Sequence, residues 1–197
     1  MHIMNTHHSS HKHYLPMIFL IVILLTTFSN YASPAPLYPV VTPVIIDSIC
    51  AKASNRTLCR AVLGPAIGRG ILFNPTLVLC GPPIRIARSS AMQARGLAWS
   101  LEKNTNTTER ARRKYGMCFL SYKGVLDKLG KAELYMHLKV QTMTKNVGLV
   151  WGHVESCDKE LVGPPRDGSG VLEANGRIKD LCSIVLAVCD FLINGRK

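Results

Sequence analysis

Four runs of apolar residues recur along the chain at alternating steps of three and four. The first is Ile84, Ala87, Ala91, Ala94, Ala98 and Leu101, and the second is Cys118, Tyr122, Val125, Leu129, Ala132 and Met136. Met143, Val147, Val150, Val154, Cys157 and Leu161 repeat the pattern, as do Val171, Ala174, Ile178, Leu181, Val185, Val188 and Leu192. Such spacing places each run on one face of a helix, as the seam of a packed bundle requires. No stretch shows the sustained period-two alternation of a strand. The pattern predicts an all-α fold, an up-down-up-down four-helix bundle with short loops. Pro82-Pro83 suits the first turn of the first long helix. Asn106 with Glu109 resembles a capping box for the second. Gly163-Pro164-Pro165 and Asp167-Gly168-Ser169-Gly170 separate the last two. Upstream, Thr42-Pro43 reads as an N-cap and first helical residue. A short helix is expected over about 43–53 and another over 56–63. Gly64-Pro65, Gly68, Gly70 and Asn74-Pro75 then interrupt the chain ahead of the first long helix.

The N-terminus has a different character. Residues 17–28, MIFLIVILLTTF, are almost wholly apolar. This run is short for a membrane span, which needs about 20 residues, and right for the core of a signal peptide. Lys12 precedes it and Ser29-Asn30-Tyr31-Ala32 follows, so 1–32 is expected to be a cleaved signal peptide; the alternative is a membrane anchor. His2, His7, His8, His11 and His13 leave with this leader, and a His-rich metal site leaves with them. Residues 33–43, SPAPLYPVVTP, form a proline-rich arm. Secretion implies an oxidising compartment, where disulfides persist. All seven cysteines lie in the mature part. An odd number leaves at least one thiol free or paired with another chain. Two sequons appear, Asn55-Arg56-Thr57 and Asn106-Thr107-Thr108, while the proline of Asn74-Pro75-Thr76 blocks a third.

Cysteine spacing sharpens the fold. Cys50 and Cys59 would stand about 13.5 Å apart along one straight helix, too far for a disulfide, which needs Cα atoms within about 7 Å. They can bond only if the chain folds back near Ser54-Asn55, which gives a stapled helical hairpin ahead of the bundle. Cys118 lies near the start of the second bundle helix and Cys157 near the end of the third. Antiparallel neighbours bring those ends together, so a Cys118–Cys157 bridge is expected.

These residues resemble the plant invertase and pectin methylesterase inhibitor family. Ile46-Asp47-Ser48-Ile49-Cys50 through Thr57-Leu58-Cys59 is similar to its opening motif. Cys118-Phe119-Leu120-Ser121-Tyr122 with Leu126-Asp127-Lys128-Leu129 is similar to the helix carrying its third cysteine. Val171-Leu172-Glu173-Ala174-Asn175 through Leu186 is similar to its final helix. The likeness spans about 44–193, which marks an inhibitor-like domain. Residues 64–83 depart from the family's more even run into its first long helix, and Cys80, Cys182 and Cys189 are extra. Cys182 and Cys189 are about 10.5 Å apart along one helix and cannot bond each other. In the antiparallel order Cys80 lies near the end of the last helix, so a third bridge, Cys80–Cys189, is expected with Cys182 a buried thiol. The alternative is that all three are small core residues.

The resemblance implies a non-catalytic protein in the apoplast or cell wall that forms a noncovalent complex covering the catalytic cleft of a wall enzyme. The partner is pectin methylesterase or an acid invertase. Lys139 to Lys145 lacks the Pro-Lys-Phe of many invertase inhibitors, which favours pectin methylesterase. Candidate contacts are Lys123, Lys128, Lys131 and Lys145. The residues agree with a non-enzyme: His137 and His153 are the only histidines after the leader, and neither falls into a nucleophile–base pattern. No cofactor motif and no metal-ligand cluster occurs. With 24 Lys and Arg against 12 Asp and Glu, the chain carries +12. Arg110, Arg112, Arg113 and Lys114 form its densest run, at a helix start where positive charge opposes the helix dipole. Retention on anionic pectin is one consequence of the charge. Nucleic acid is not expected, since no basic platform is interleaved with aromatics. The competing readings are a secreted four-helix-bundle ligand without enzyme inhibition and a diverged bundle acting on membranes.

Overall fold

The structure is a computed structural model that describes residues 40–69, 75–164 and 168–194. The predicted signal peptide and the first residues of the proline-rich arm lie outside the described residues. Among those described, the elements are α1 (Pro43–Cys50), α2 (Arg56–Leu63), a 3₁₀ turn (Gly64–Ala66), α3 (Pro75–Lys103), α4 (Glu109–Tyr135), α5 (Val140–Val162) and α6 (Val171–Asn194). The only extended pairing among them is a bridge in which the Val41 amide donates to the Arg69 carbonyl and the Gly68 amide to the Val41 carbonyl.

The four long helices form a square in which α3 packs on α4, α4 on α5, α5 on α6 and α6 back on α3. Their facing stripes make the core. Every predicted seam residue is buried except Leu101, Ala174 and Leu192, which are partly so. Alanines dominate the α3 stripe, where Ala87, Ala91, Ala94 and Ala98 are sealed. Small side chains there let the neighbouring helices approach closely, and Tyr122, Leu129, Ile178 and Leu181 supply the bulk. One polar group crosses this core. The Tyr122 hydroxyl donates to Asn175 Oδ1, Asn175 Nδ2 donates to Asp158 Oδ1 at 2.6 Å, and Lys179 Nζ reaches Asp158 Oδ2 at 2.7 Å. The chain of bonds satisfies a fully buried amide, which otherwise costs about 1–3 kcal/mol.

Local signals explain the helix ends, with two corrections. Thr42 caps α1, its side chain accepting from the Ile45 amide at 3.3 Å, and Pro43 opens the helix. Asn55 caps α2 by accepting from the Leu58 amide at 3.0 Å. At α4 the cap is Thr108, which accepts from the Ala111 amide at 3.3 Å, so Asn106 lies outside the helix. Thr108 is the residue immediately before the first helical turn, where a side-chain oxygen meets the third amide. The larger correction concerns α3. Its start lies at Pro75, and Pro82 and Pro83 fall inside it. Pro75 takes the position where a missing N–H costs nothing. Pro82 and Pro83 deprive the Val78 and Leu79 carbonyls of their normal helical donors. Burial of Leu79, Cys80, Pro83 and Ile84 holds the helix through this break.

The α1–α2 hairpin is closed by Cys50–Cys59, with Cα atoms 5.5 Å apart. It docks on α6. Ser54 Oγ donates to Asp180 Oδ1 at 2.7 Å, Asn55 Nδ2 donates to Asp180 Oδ2 at 3.0 Å, and the Ser54 amide donates to Ser183 Oγ at 2.8 Å. Lys52 pairs with Asp190 at 2.5 Å nearby. A second bridge, Cys118–Cys157, joins α4 to α5 at the predicted ends, with Cα atoms 4.5 Å apart.

The third bridge is corrected. Cys80, Cys182 and Cys189 are all buried free thiols. Cys80 and Cys189 do meet, through a hydrogen bond between their sulfurs that pushes the Cys80 thiol up and holds Cys189 down. With 0% and 1% exposure, neither sulfur is open to an oxidant once the bundle has closed. Burial alone pushes the Cys182 thiol up to about 12.

Candidate partner-docking face

The outward side of α4 carries the candidate surface. Leu120 and Leu134 are 56% and 64% exposed, with Met117 and Lys123 beside them. Helical spacing puts Lys123, Asp127, Lys131 and Leu134 on one face, opposite the buried Val125 and Leu129. Lys131 Nζ reaches Asp127 Oδ2 at 3.0 Å, and Lys128 Nζ reaches the same oxygen at 3.1 Å. The two ammonium groups, Lys131 first, hold the Asp127 carboxyl below its ordinary range. Lys123 and Lys145 are exposed, Lys145 on the adjoining α5, whereas Lys128 is partly buried. Lys128 sits about 140° around the helix from Lys123, so the four predicted lysines do not form one patch.

The strongest feature of this region is a hollow of about 380 Å³ between α3 and α4, lined by Met92, Arg95, Gly96, Trp99, Phe119 and Leu126. None of these stood out as a binding residue in the sequence. Trp99 is 46% exposed. Its ring lies 5.1 Å from that of Phe119, centroid to centroid, and Lys103 Nζ stands 4.5 Å over it. The Arg95 guanidinium stands 4.7 Å over the Phe119 ring, and its Nε is buried without a hydrogen bond. Cation–π contacts on both rings hold the cluster in place. A signal existed: Trp99 follows the seam residue Ala98, and one step along a helix turns a side chain by about 100°, out of the core. A large ring left there by an otherwise alanine-rich stripe marks a surface anchor.

Other candidates fall elsewhere. His137 is exposed in the α4–α5 turn. His153 leans against Gly124, where an added Cβ would lie 2.4 Å from its ring. The basic run at the start of α4 serves the fold: Arg112 and Arg113 pair with Glu109 at 2.6 and 3.0 Å, and Lys114 Nζ donates to the Gly163 and Pro164 carbonyls that end α5. These arginines, Arg113 first, lower the Glu109 carboxyl. Asn106 is exposed, while the Asn55 amide is occupied by Asp180. Among the described residues no group of three His, Cys, Asp or Glu could hold a metal ion, and no helix is long and apolar enough to cross a membrane.

Among the described residues the structure is a disulfide-stapled hairpin on a four-helix bundle, with an exposed aromatic cluster on its outer side. No family model matches the chain. In sequence it is similar to a pectinesterase inhibitor from Actinidia deliciosa, 26% identical over 151 residues that cover 75% of this chain and 79% of the relative. In fold it is similar to the crystal structure of a mutant form of a pectin methylesterase inhibitor from Arabidopsis, with a TM-score of 0.64 and 19% identity, covering 74% of this chain and 95% of the other. A pectin methylesterase inhibitor from Arabidopsis thaliana superimposes with a TM-score of 0.58 and 19% identity, covering 77% and 98%. The resemblance to the invertase and pectin methylesterase inhibitor family thus extends to a related sequence and to the fold. These relatives are inhibitors of an enzyme, not enzymes, which agrees with a non-catalytic reading of this chain.

Proposed function

We propose that this protein is a secreted inhibitor of a plant cell-wall pectin methylesterase, binding it noncovalently and covering its active-site cleft. The observation that carries this reading is the similarity over 151 residues to a pectinesterase inhibitor. The leader at 1–32 supports secretion to the apoplast. A rigid bundle, tied by two disulfides, suits the task because a preorganised helical face loses little entropy on docking. The outward face of α4 with the Trp99 hollow is assigned to the enzyme. Trp and Arg, here Trp99 and Arg95, are the residue types that most often dominate binding energy at interfaces, and exposed Lys123 and Lys131 on α4 and Lys145 on α5 supply positive charge.

The test is a titration of the oxidised mature chain against a plant pectin methylesterase and a cell-wall acid invertase at mildly acid pH. Stoichiometric loss of esterase activity alone is the expected result. Loss of invertase activity instead would reassign the target. Loss of neither, from a folded helical sample, would overturn the inhibitor reading.

A further inference from the structure

On the side of the bundle away from α4 and α5, a second groove of about 690 Å³ runs between α3 and α6. Its lining follows helical rows. Arg85, Ser89, Gln93 and Leu97 succeed one another at four-residue steps on α3, with Ile86, Ser90 and Ala94 beside them. Ala174 and Arg177, one turn apart on α6, form the opposite wall. The α3 row is about 18 Å long at the ordinary helical rise, so the groove has the shape of a trough.

Two features mark this trough. Neither Arg85 nor Arg177 is among the arginines that pair with a carboxylate in the described residues, which are Arg60, Arg88, Arg112 and Arg113; Arg56, Arg69, Arg95 and Arg110 share that state, but only here do two such arginines line one groove. Glu173, one turn before Arg177, is exposed and makes no ion pair with it. No acidic residue lines the trough, and α3 holds a single one, Glu102, near its far end. The positive charge is therefore uncompensated at this place, in a protein that is basic overall.

The chemistry of the walls selects among anions. A guanidinium is a planar fork that matches a carboxylate with two parallel bonds. Two of them on facing walls suit a ligand with repeated carboxylates. Ser89, Ser90 and Gln93 add donors and acceptors between the arginines, as an array of ring hydroxyls would require. Ile86, Ala94, Leu97 and Ala174 offer an aliphatic floor for the C–H faces of a ring. No aromatic ring lines the trough, which leaves a nucleobase nothing to stack on. On α3 the trough lies along the middle of the helix, away from the backbone amides at its start that would hold a phosphate, and its α6 wall begins at Ala174, whose amide is taken by the Gly170 carbonyl.

We infer that the α3–α6 trough binds a carboxylated sugar chain through Arg85 and Arg177. The choice of polymer rests on the proposed function. Hydrolysis of a methyl ester by the enzyme converts a neutral ester into a carboxylate, so the trough takes the product chain and rejects the esterified substrate. The trough shares α3 with the Trp99 hollow assigned to the enzyme and lies on the adjoining side of the bundle. Net charge becomes local recognition, and the inhibitor is retained where the enzyme has already acted.

The experiment titrates the oxidised mature chain with a short fully de-esterified oligogalacturonate and with its methyl ester, followed by NMR shifts, with no enzyme present. The acid form is expected to bind, more weakly as salt rises. Arg85→Ala with Arg177→Ala is expected to weaken it by about tenfold or more, as loss of two charge-assisted forks implies. Gln93→Ala should cost a few-fold, because a hydrogen bond to a ring hydroxyl contributes about 1 kcal/mol. Lys139→Ala with Lys159→Ala removes as much charge away from the trough and should change binding less than about twofold if recognition is local. Equal loss in this control, equal binding of the methyl ester, or no binding of the acid chain would each overturn the inference. So would a sulfated oligosaccharide that binds as tightly, since it would make the trough a general anion site. Melting curves of the variants exclude misfolding. Inhibition is read separately: binding without inhibition keeps the trough and sinks the proposed target, and inhibition without binding does the reverse.

Discussion

Gly124 and His153 meet where α4 packs on α5, and nothing larger than hydrogen fits between them. An added Cβ would lie 2.4 Å from His153 Cε1 and 2.8 Å from its Cγ. Cγ is the root of the ring, so turning the ring in place does not relieve the contact and the side chain must change χ1. Gly124→Ala is expected to destabilise the protein by about 1–3 kcal/mol. His153→Ala in the same chain should recover most of that, as urea unfolding would measure. A neutral Gly124→Ala would mean the helices yield at this point. This contact was not legible in the sequence, because a glycine on a helix carries no sign of what it faces. The sequons show the opposite case: they are legible as motifs, but only the structure separates them. A glycan on Asn55 would displace its bond to Asp180 and intrude between α2 and α6, whereas Asn106 points to solvent.

Among the elements, the hairpin was the most legible, since a separation of nine positions between Cys50 and Cys59 forces a turn if the two are to bond. What the spacing did not give is its anchorage, which rests on Ser54, Asn55 and Lys52 meeting Asp180, Ser183 and Asp190 of α6. Cys50→Ala with Cys59→Ala removes the staple, and loop entropy puts the cost at about 2.7 kcal/mol. Chemical unfolding followed by circular dichroism should show that loss, with the α3–α6 square still cooperative. A much smaller effect would mean that the α6 anchorage alone holds the hairpin. The bundle helices were legible from their stripes, because three- and four-residue steps admit one face only. The start of α3 was not. Pro82-Pro83 looks like an opening turn, and only the burial of Leu79 and Cys80 carries the helix back to Pro75.

At the scale of the whole molecule, the proposed function turns on which side would meet the enzyme. The two contributions assigned to the docking face have different signatures. Trp99→Ala removes a packed anchor and is expected to weaken inhibition by about 2 kcal/mol, roughly thirtyfold, mainly through faster dissociation. Lys123→Glu, Lys131→Glu and Lys145→Glu together should instead slow association and alter its salt dependence. Surface plasmon resonance against the esterase separates the two rates. Unchanged affinity in Trp99→Ala would move the face off the α3–α4 hollow. The lysines could be named from sequence because charge is visible there. The hollow could not, since it needs α3 beside α4 and the rotation of Trp99 toward Phe119.

The paired prolines inside α3 bear on how the molecule comes apart. Neither position has an amide proton, so the Val78 and Leu79 carbonyls have no donor at the usual helical place in any fold of this chain. The turns from Pro75 to Gly81 are joined to the rest of α3 by a thinned ladder and by side-chain packing. Breathing motions should therefore begin at this joint, while the segment beyond Ile84 stays shut. Cys80 rides on the part that opens, and Cys189 faces it. Opening at this joint would uncover the Cys80–Cys189 contact before the rest of the core, so wear on the molecule would trace a crack that the sequence built in.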